Sequence, residues 1–304
     1  MKKSKKIALF TAITFIILGC LFSVSALFAV DFDFTKLDTS DYTTKSYMIE
    51  ESFTNISIDI DTADLYFLPS EDNTGKVVCK ESEKISYNIF VADDTLNINV
   101  IDKRVWHDFI GFGFDSTKMT VYLPEATYND LFIESRTGDI CMPNNFSFDT
   151  ASIICSTADI DFRAQVNTDL SIKLSTGDVS LSDSNTANIN IEVSTGDVNI
   201  KNITCENIST RSSTGEMKLN KIIASGFIKI KTTTGDVKLS DSDADTLDIK
   251  TSTGDVWCSL LSGKIFTTKT STGDVSVPQN TADGGVCRIT TSTGDIKVVV
   301  KTGG

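Results

Sequence analysis

Apolar and polar residues alternate along most of this chain, and the alternation recurs at a fixed interval. Ile56, Ile58 and Ile60 interleave with Asn55, Ser57 and Asp59, the period of a strand with one buried face. From Leu131 the alternation locks onto a repeated turn, Ser-Thr-Gly-Asp-Val. Its third position falls on Gly138, Ala158, Gly177, Gly196, Gly215, Gly235, Gly254, Gly273 and Gly294, at spacings of 19 to 21 residues. Counted from that position, places −7, −5 and −3 form the inward face of one strand, and places +2 and +4 that of the next. Place −5 reads Ile133, Ile153, Ile172, Ile191, Thr210, Ile230, Ile249, Thr268, Ile289, while place −4 carries Lys173, Glu192, Arg211, Lys231, Lys250 and Lys269. A repeat this regular predicts an all-β fold, a parallel β-solenoid of ~19–20-residue coils stacked about 4.8 Å apart. A stack of antiparallel hairpins is the second arrangement that fits strand–turn–strand.

The flanks differ from this core. Lys2, Lys3, Lys5 and Lys6 precede an uncharged run from Ile7 to Val30, which predicts one N-terminal transmembrane helix with its lysines in the cytoplasm. A cleaved signal peptide, with Val24-Ser25-Ala26 at the cut, competes with the uncleaved anchor. Residues 1–30 are thus read as basic residues and anchor, 31–50 as a juxtamembrane stalk, 51–130 as irregular β coils capping the stack, and 131–304 as the regular solenoid. Trp106, His107, Phe109, Phe112 and Phe114 crowd into a short interruption. They suggest either a flap over the apolar end of the stack or a contact for a membrane or partner. The coils stop near Val300 without a cap, so the C-terminal edge is expected to self-associate, be covered or fray.

Charge narrows the partners. Acidic residues outnumber basic ones, 41 to 28, for a net −13, so nucleic acid is not an expected partner. Seven cysteines show no metal-ligand spacing. Cys155, Cys258 and Cys287 fall on inward places and read as small apolar residues.

Within the turn, glycine supplies the positive φ of a tight corner. Threonine at −1 is placed to hydrogen-bond along a column of identical neighbours, and the acid at +1 to accept backbone N–H groups. That acid column is Asp139, Asp159, Asp178, Asp197, Glu216, Asp236, Asp255, Asp274 and Asp295. Corner capping is its first reading, and a Ca²⁺ column its second. No other cofactor is expected. Catalysis has little support, since His107 is the single histidine and no nucleophile–base pair recurs. Paired-carboxylate glycan hydrolysis is left as the enzymatic alternative.

The repeated turn, the lead-in Phe53-Thr54-Asn55-Ile56-Ser57-Ile58-Asp59 and Val121-Tyr122-Leu123-Pro124 resemble the "putative adhesin" family of bacterial β-strand-repeat proteins, a domain of unknown function. The resemblance spans about residues 50–304. It implies a surface location, often with an N-terminal helical anchor, and a role in adhesion or in envelope-stress signalling of Gram-positive bacteria. It brings no catalytic or binding residues. The expectation is a non-enzymatic, membrane-anchored extracellular binding or structural module. Its partner would be an envelope component or a membrane protein. An accessory of an envelope-stress system is the alternative.

Overall fold

The computed structural model describes residues 3–29, 42–105, 117–282 and 284–301. One α-helix, Lys3–Ala29, precedes the strands. Phe10, Phe15, Phe22 and Phe28 are exposed on it. Among the described residues no helix is long and apolar enough to cross a membrane.

The remaining strands form a parallel β-solenoid, and its inward places are those the repeat predicted. Leu131, Ala151, Leu170, Ile189, Ile208, Ile228 and Leu247 lie in one register across successive coils. On the wall after the turn, Ile140, Ile160, Val179, Val198, Met217, Val237 and Val256 do the same. These side chains fill the tube, with Phe146, Phe148 and Phe162 among the largest fully buried. Each such side chain contributes roughly 1.5–3 kcal/mol by leaving water. The parallel pairings rule out the hairpin stack.

Cys79, Cys155, Cys205, Cys258 and Cys287 are buried free thiols. Burial pushes Cys79, Cys155 and Cys287 up to about 12, so they sit inside as unreactive apolar groups.

Stacking follows chain order in the middle of the rod and departs from it at both ends. At the N-terminal end, Asn55–Thr62 pairs with Thr127–Thr137 on one side and with Thr95–Asp102 on the other, all parallel. The first coil in sequence is therefore the second in space. Antiparallel strands finish this end. Ile85–Ala92 folds back on Thr95–Asp102, and Gly75–Glu81 lies between Lys118–Leu123 and Thr43–Ile49. Buried Glu81 accepts from Tyr47 Oη at 2.7 Å and from the Tyr87 amide at 3.0 Å, which satisfies a carboxylate that would otherwise penalise the cap. Among the described residues sheet structure thus begins at Thr43, inside the stretch read as stalk. Residues 51–130 contain regular coils as well as a cap.

The C-terminal end repeats the exchange. Gly285–Thr290 and Ile296–Val300 pair with Val237–Lys250 and Val256–Leu260 on one side, and with Lys264–Lys269 and Val275–Ser276 on the other. The last coil in sequence is tucked one level in. The open edge therefore belongs to residues 264–276, not to the C-terminal strand as the sequence suggested. At that edge Val275, on a place buried in every other coil of the column, is 44% exposed.

Candidate functional site

The repeated corners form one continuous edge of the solenoid. The glycines of the motif have φ between +123° and +145°. At Gly196 (φ +143°) a Cβ would lie 1.9 Å from the Gly177 carbonyl oxygen one coil away, so the glycine answers both a left-handed conformation and a close backbone approach. Ala158 is outside the positive-φ region. Its corner is of another type and is free of that strain.

The acid column is a hydrogen-bond ladder. Asp139 Oδ1 accepts the Asp159 amide at 2.8 Å, Asp159 that of Asp178 at 2.8 Å, Asp178 that of Asp197 at 2.7 Å, and Asp197 that of Glu216 at 2.7 Å. Beyond, Asp236 accepts from Asp255 at 2.8 Å, Asp255 from Asp295 at 2.7 Å and Asp295 from Asp274 at 2.8 Å. The ladder thus follows the exchanged order of the last coils. Asp64 continues it at the other end, accepting the Asp139 amide at 3.1 Å.

One rung differs. Glu216 carries an extra methylene, and its carboxylate turns to Lys218 Nζ at 2.7 Å instead of the Asp236 amide. That hydrogen bond raises the Lys218 pKa. Glu216→Asp is expected to restore the rung and to stabilise the chain by about 0.5–1 kcal/mol. A higher urea midpoint at unchanged slope is the expected reading.

The −1 threonines stack their backbones, Thr214 against Thr234 and Thr234 against Thr253. Among the described residues, however, their hydroxyls form no inter-coil ladder. Threonines at −3 bond instead, both within the corner and to the adjacent coil. Thr251 Oγ1 lies 3.3 Å from the Thr253 and Gly235 carbonyls, Thr291 Oγ1 3.2 Å from those of Thr293 and Gly254, and Thr270 Oγ1 donates to the Gly294 carbonyl at 3.0 Å. Hydroxyl bonding thus falls at −3 and not, as expected, at −1. Place −1 points to solvent, whereas place −3 faces the buried carbonyls.

Two shallow grooves flank the corner edge. The first, about 400 Å³, runs along Asp139, Asp159, Asp178, Asp197 and Glu216, with Asp161 and Lys218 on its far side. The second, about 370 Å³, follows Ser156, Ser175, Ser194 and Ser213 past Lys173, Glu192 and Arg211. Among the described residues no three His, Cys, Asp or Glu side chains gather as metal ligands would. Asp139, Asp159, Asp178, Asp197, Asp236, Asp255 and Asp295 each have one oxygen committed to a backbone amide.

The aromatic positions Trp106, His107, Phe109, Phe112 and Phe114 lie outside the described residues. Their flanks do not. Arg104, beside the segment, bonds Asp61 at 2.6 Å and Asp102 at 2.7 Å, and Arg136 reaches Asp61 at 3.1 Å. The Arg104 hydrogen bond holds the Asp102 carboxyl below its usual range. Across the corner, the Asp64 amide donates to the Thr117 carbonyl at 2.8 Å. The described strands that flank the aromatic segment in sequence, Thr95–Asp102 and Lys118–Leu123, are the two walls of the outermost coil.

The family model Toastrack DUF4097 matches residues 53–240 and, again, 206–303. The chain belongs to the Toastrack DUF4097 family. A search of curated proteins finds no match. Among solved structures, a "putative lipid binding protein" from Parabacteroides distasonis ATCC 8503 is 13% identical over 86% of this chain and 98% of its own, with a TM-score of 0.50. A "putative adhesin" from Bacteroides fragilis NCTC 9343 is 15% identical over 85% of this chain and 97% of its own, with a TM-score of 0.46. At these identities the likeness of the Toastrack chain to its neighbours is one of fold.

Proposed function

We propose that this Toastrack chain is a non-enzymatic binding module of the bacterial cell envelope, anchored in the membrane by its N-terminal helix with the solenoid outside. One observation carries the reading: the repeated polar groups of the corner are used in stacking. The carboxylates cap the next coil and the threonine hydroxyls at Thr251, Thr270 and Thr291 bond carbonyls of the adjacent coil, leaving long flat columns of side chains as the surface offered to partners. Repetition without a distinct acid, base and nucleophile at any one coil suits extended binding better than turnover. The adhesin and lipid-binding names of the structural neighbours agree with it.

The anchor is a reading of the sequence, four lysines ahead of the uncharged run Ile7 to Val30, and not of the helix geometry, which does not by itself meet the length and apolarity of a span. Protease added to intact Gram-positive cells making the full chain should remove the solenoid and leave the helix with the membrane. Adhesion to wall material or neighbouring cells should survive substitution of any single column acid. Turnover of an envelope glycan by the purified chain would overturn the non-enzymatic reading.

Calcium has no structural part in this account, because the amides already offset the column. Melting curves in EDTA and in excess calcium are expected to superimpose, and a calcium-dependent rise in Tm would contradict this.

A second reading, an accessory of an envelope-stress system, is favoured by one placement. The strands on either side of the aromatic stretch in sequence, Thr95–Asp102 and Lys118–Leu123, belong to the outermost coil, at the end of the rod that also holds Thr43–Ile49. Deleting residues 106–116 should then alter the stress response while the urea midpoint stays unchanged.

A further inference from the structure

The outer face of the wall before the turn changes character along the rod. Its outward side chains come from places −8, −6 and −4, and the register fixes which of them are neighbours. In the coils between residues 55 and 195, Asp59, Glu134, Glu192, Asp130 and Asp169 stand there against Lys173. Toward the C-terminal end the sign reverses. Arg211, Lys231, Lys250 and, beyond Thr290, Lys269 follow one another at −4. Lys229 and Arg288 join them at −6, with Asp248 between, paired to Lys250 at 3.3 Å. All six cations are exposed, on a chain whose net charge is −13.

Apolar side chains border the cations on the same wall. Place −8 reads Asn207, Phe227, Thr246, Val286 and Ile265 in spatial order. Phe227, Val286 and Ile265 are each 39% exposed. Glu206 and Asp245 stand at the corner beyond this column and mark the limit of the face. A flat sheet face with clustered cations along one side and an exposed apolar row along the other matches the interfacial zone of an anionic bilayer. The cations meet headgroups there, and the row enters the acyl boundary. A soluble polyanion would account for the cations and leave the apolar row unexplained.

We infer that the C-terminal half of this wall is a docking face for an anionic lipid surface, against which the rod lies on its side. The inference extends the envelope reading, which supplies the lipid, and is tested separately from it. The full chain is mixed with vesicles of phosphatidylcholine alone or with phosphatidylglycerol, and lysine acylation is read by mass spectrometry. Flotation with the zwitterionic vesicles reports on the N-terminal helix. The difference between the two lipids reports on the face.

Lys229, Lys231, Lys250 and Lys269 should be protected only with phosphatidylglycerol, with Lys173 and Lys201 as unprotected references. In Lys229→Glu/Lys231→Glu, protection of Lys250 and Lys269 should weaken about fivefold for each cation removed. Phe227→Ser/Val286→Ser should weaken it as well, and the urea midpoint confirms folding of each variant. Equal labelling with both lipids would overturn the inference. So would equal protection by soluble polyphosphate that ignores Phe227→Ser/Val286→Ser, which would assign the face to a polyanion.

Discussion

Gly196→Ala is expected to destabilise the solenoid by about 3 kcal/mol or more. The new methyl would sit 1.9 Å from the Gly177 carbonyl oxygen at a φ of +143°. Since the atom in the way is backbone, relief requires the two coils to move apart. That also lengthens the bonds from the Gly177 amide to the Thr195 carbonyl and from the Asp197 amide to Asp178. In a stack whose coils touch mainly their neighbours, a weak interface in the middle uncouples the halves. Urea unfolding followed by circular dichroism should shift to a lower midpoint and broaden toward two phases. Ala158→Gly serves as the control, because that corner already accepts a side chain. It should cost only about 0.5–1 kcal/mol, through unfolded-state entropy.

Lys264→Ala is expected to loosen the C-terminal end by about 3 kcal/mol. Lys264 is 4% exposed. Its ammonium donates to the Ala244 carbonyl at 2.7 Å and meets Asp243 Oδ1 at 2.6 Å. Since the last coil lies between those residues, the side chain spans a whole level. Gly284 and Gly285 leave it room: a Cβ on Gly284 would come within 2.7 Å of Lys264 Cα, and one on Gly285 within 2.1 Å of the Asp245 carbonyl. Lysine thus fastens the outermost coil across the tucked-in one. Alanine would leave the Ala244 carbonyl without its side-chain donor. Asp243 would keep only the Ala244 amide at 2.9 Å and lose its counter-charge in a partly buried place, which is costlier than never having the pair. Hydrogen exchange should accelerate over residues 264–300 and remain unchanged near Ile133 and Ile153. Lys264→Met, which keeps the stem, should lose less than alanine does.

The central coils were legible from the sequence because a period of about 19 residues fixes both register and inward face. Ile133, Ile153 and Ile172 could face only the core once the turns were aligned. The ends were not legible, because a repeat states what a coil looks like and not which coil it touches. Nothing in residues 264–300 distinguishes chain order from exchange except Lys264 and the Gly284–Gly285 pair, and their meaning depends on the neighbour. The acid column could be listed by eye, whereas its use as an inter-coil ladder depended on amide directions. The docking face was half visible: the lysines at −4 stood out, but Phe227, Val286 and Ile265 became a row only after the last two coils changed places.

In the proposed function the repeated turn holds the rod together while its outer faces do the binding. Asp178→Ala/Asp197→Ala removes two rungs and leaves both walls intact. Its urea midpoint and its adhesion to envelope material, per folded molecule, should be measured side by side with the parent chain. The account predicts a midpoint lowered by roughly 2 kcal/mol of stability with adhesion unchanged. A variant that unfolds at the parental midpoint but no longer adheres would contradict it.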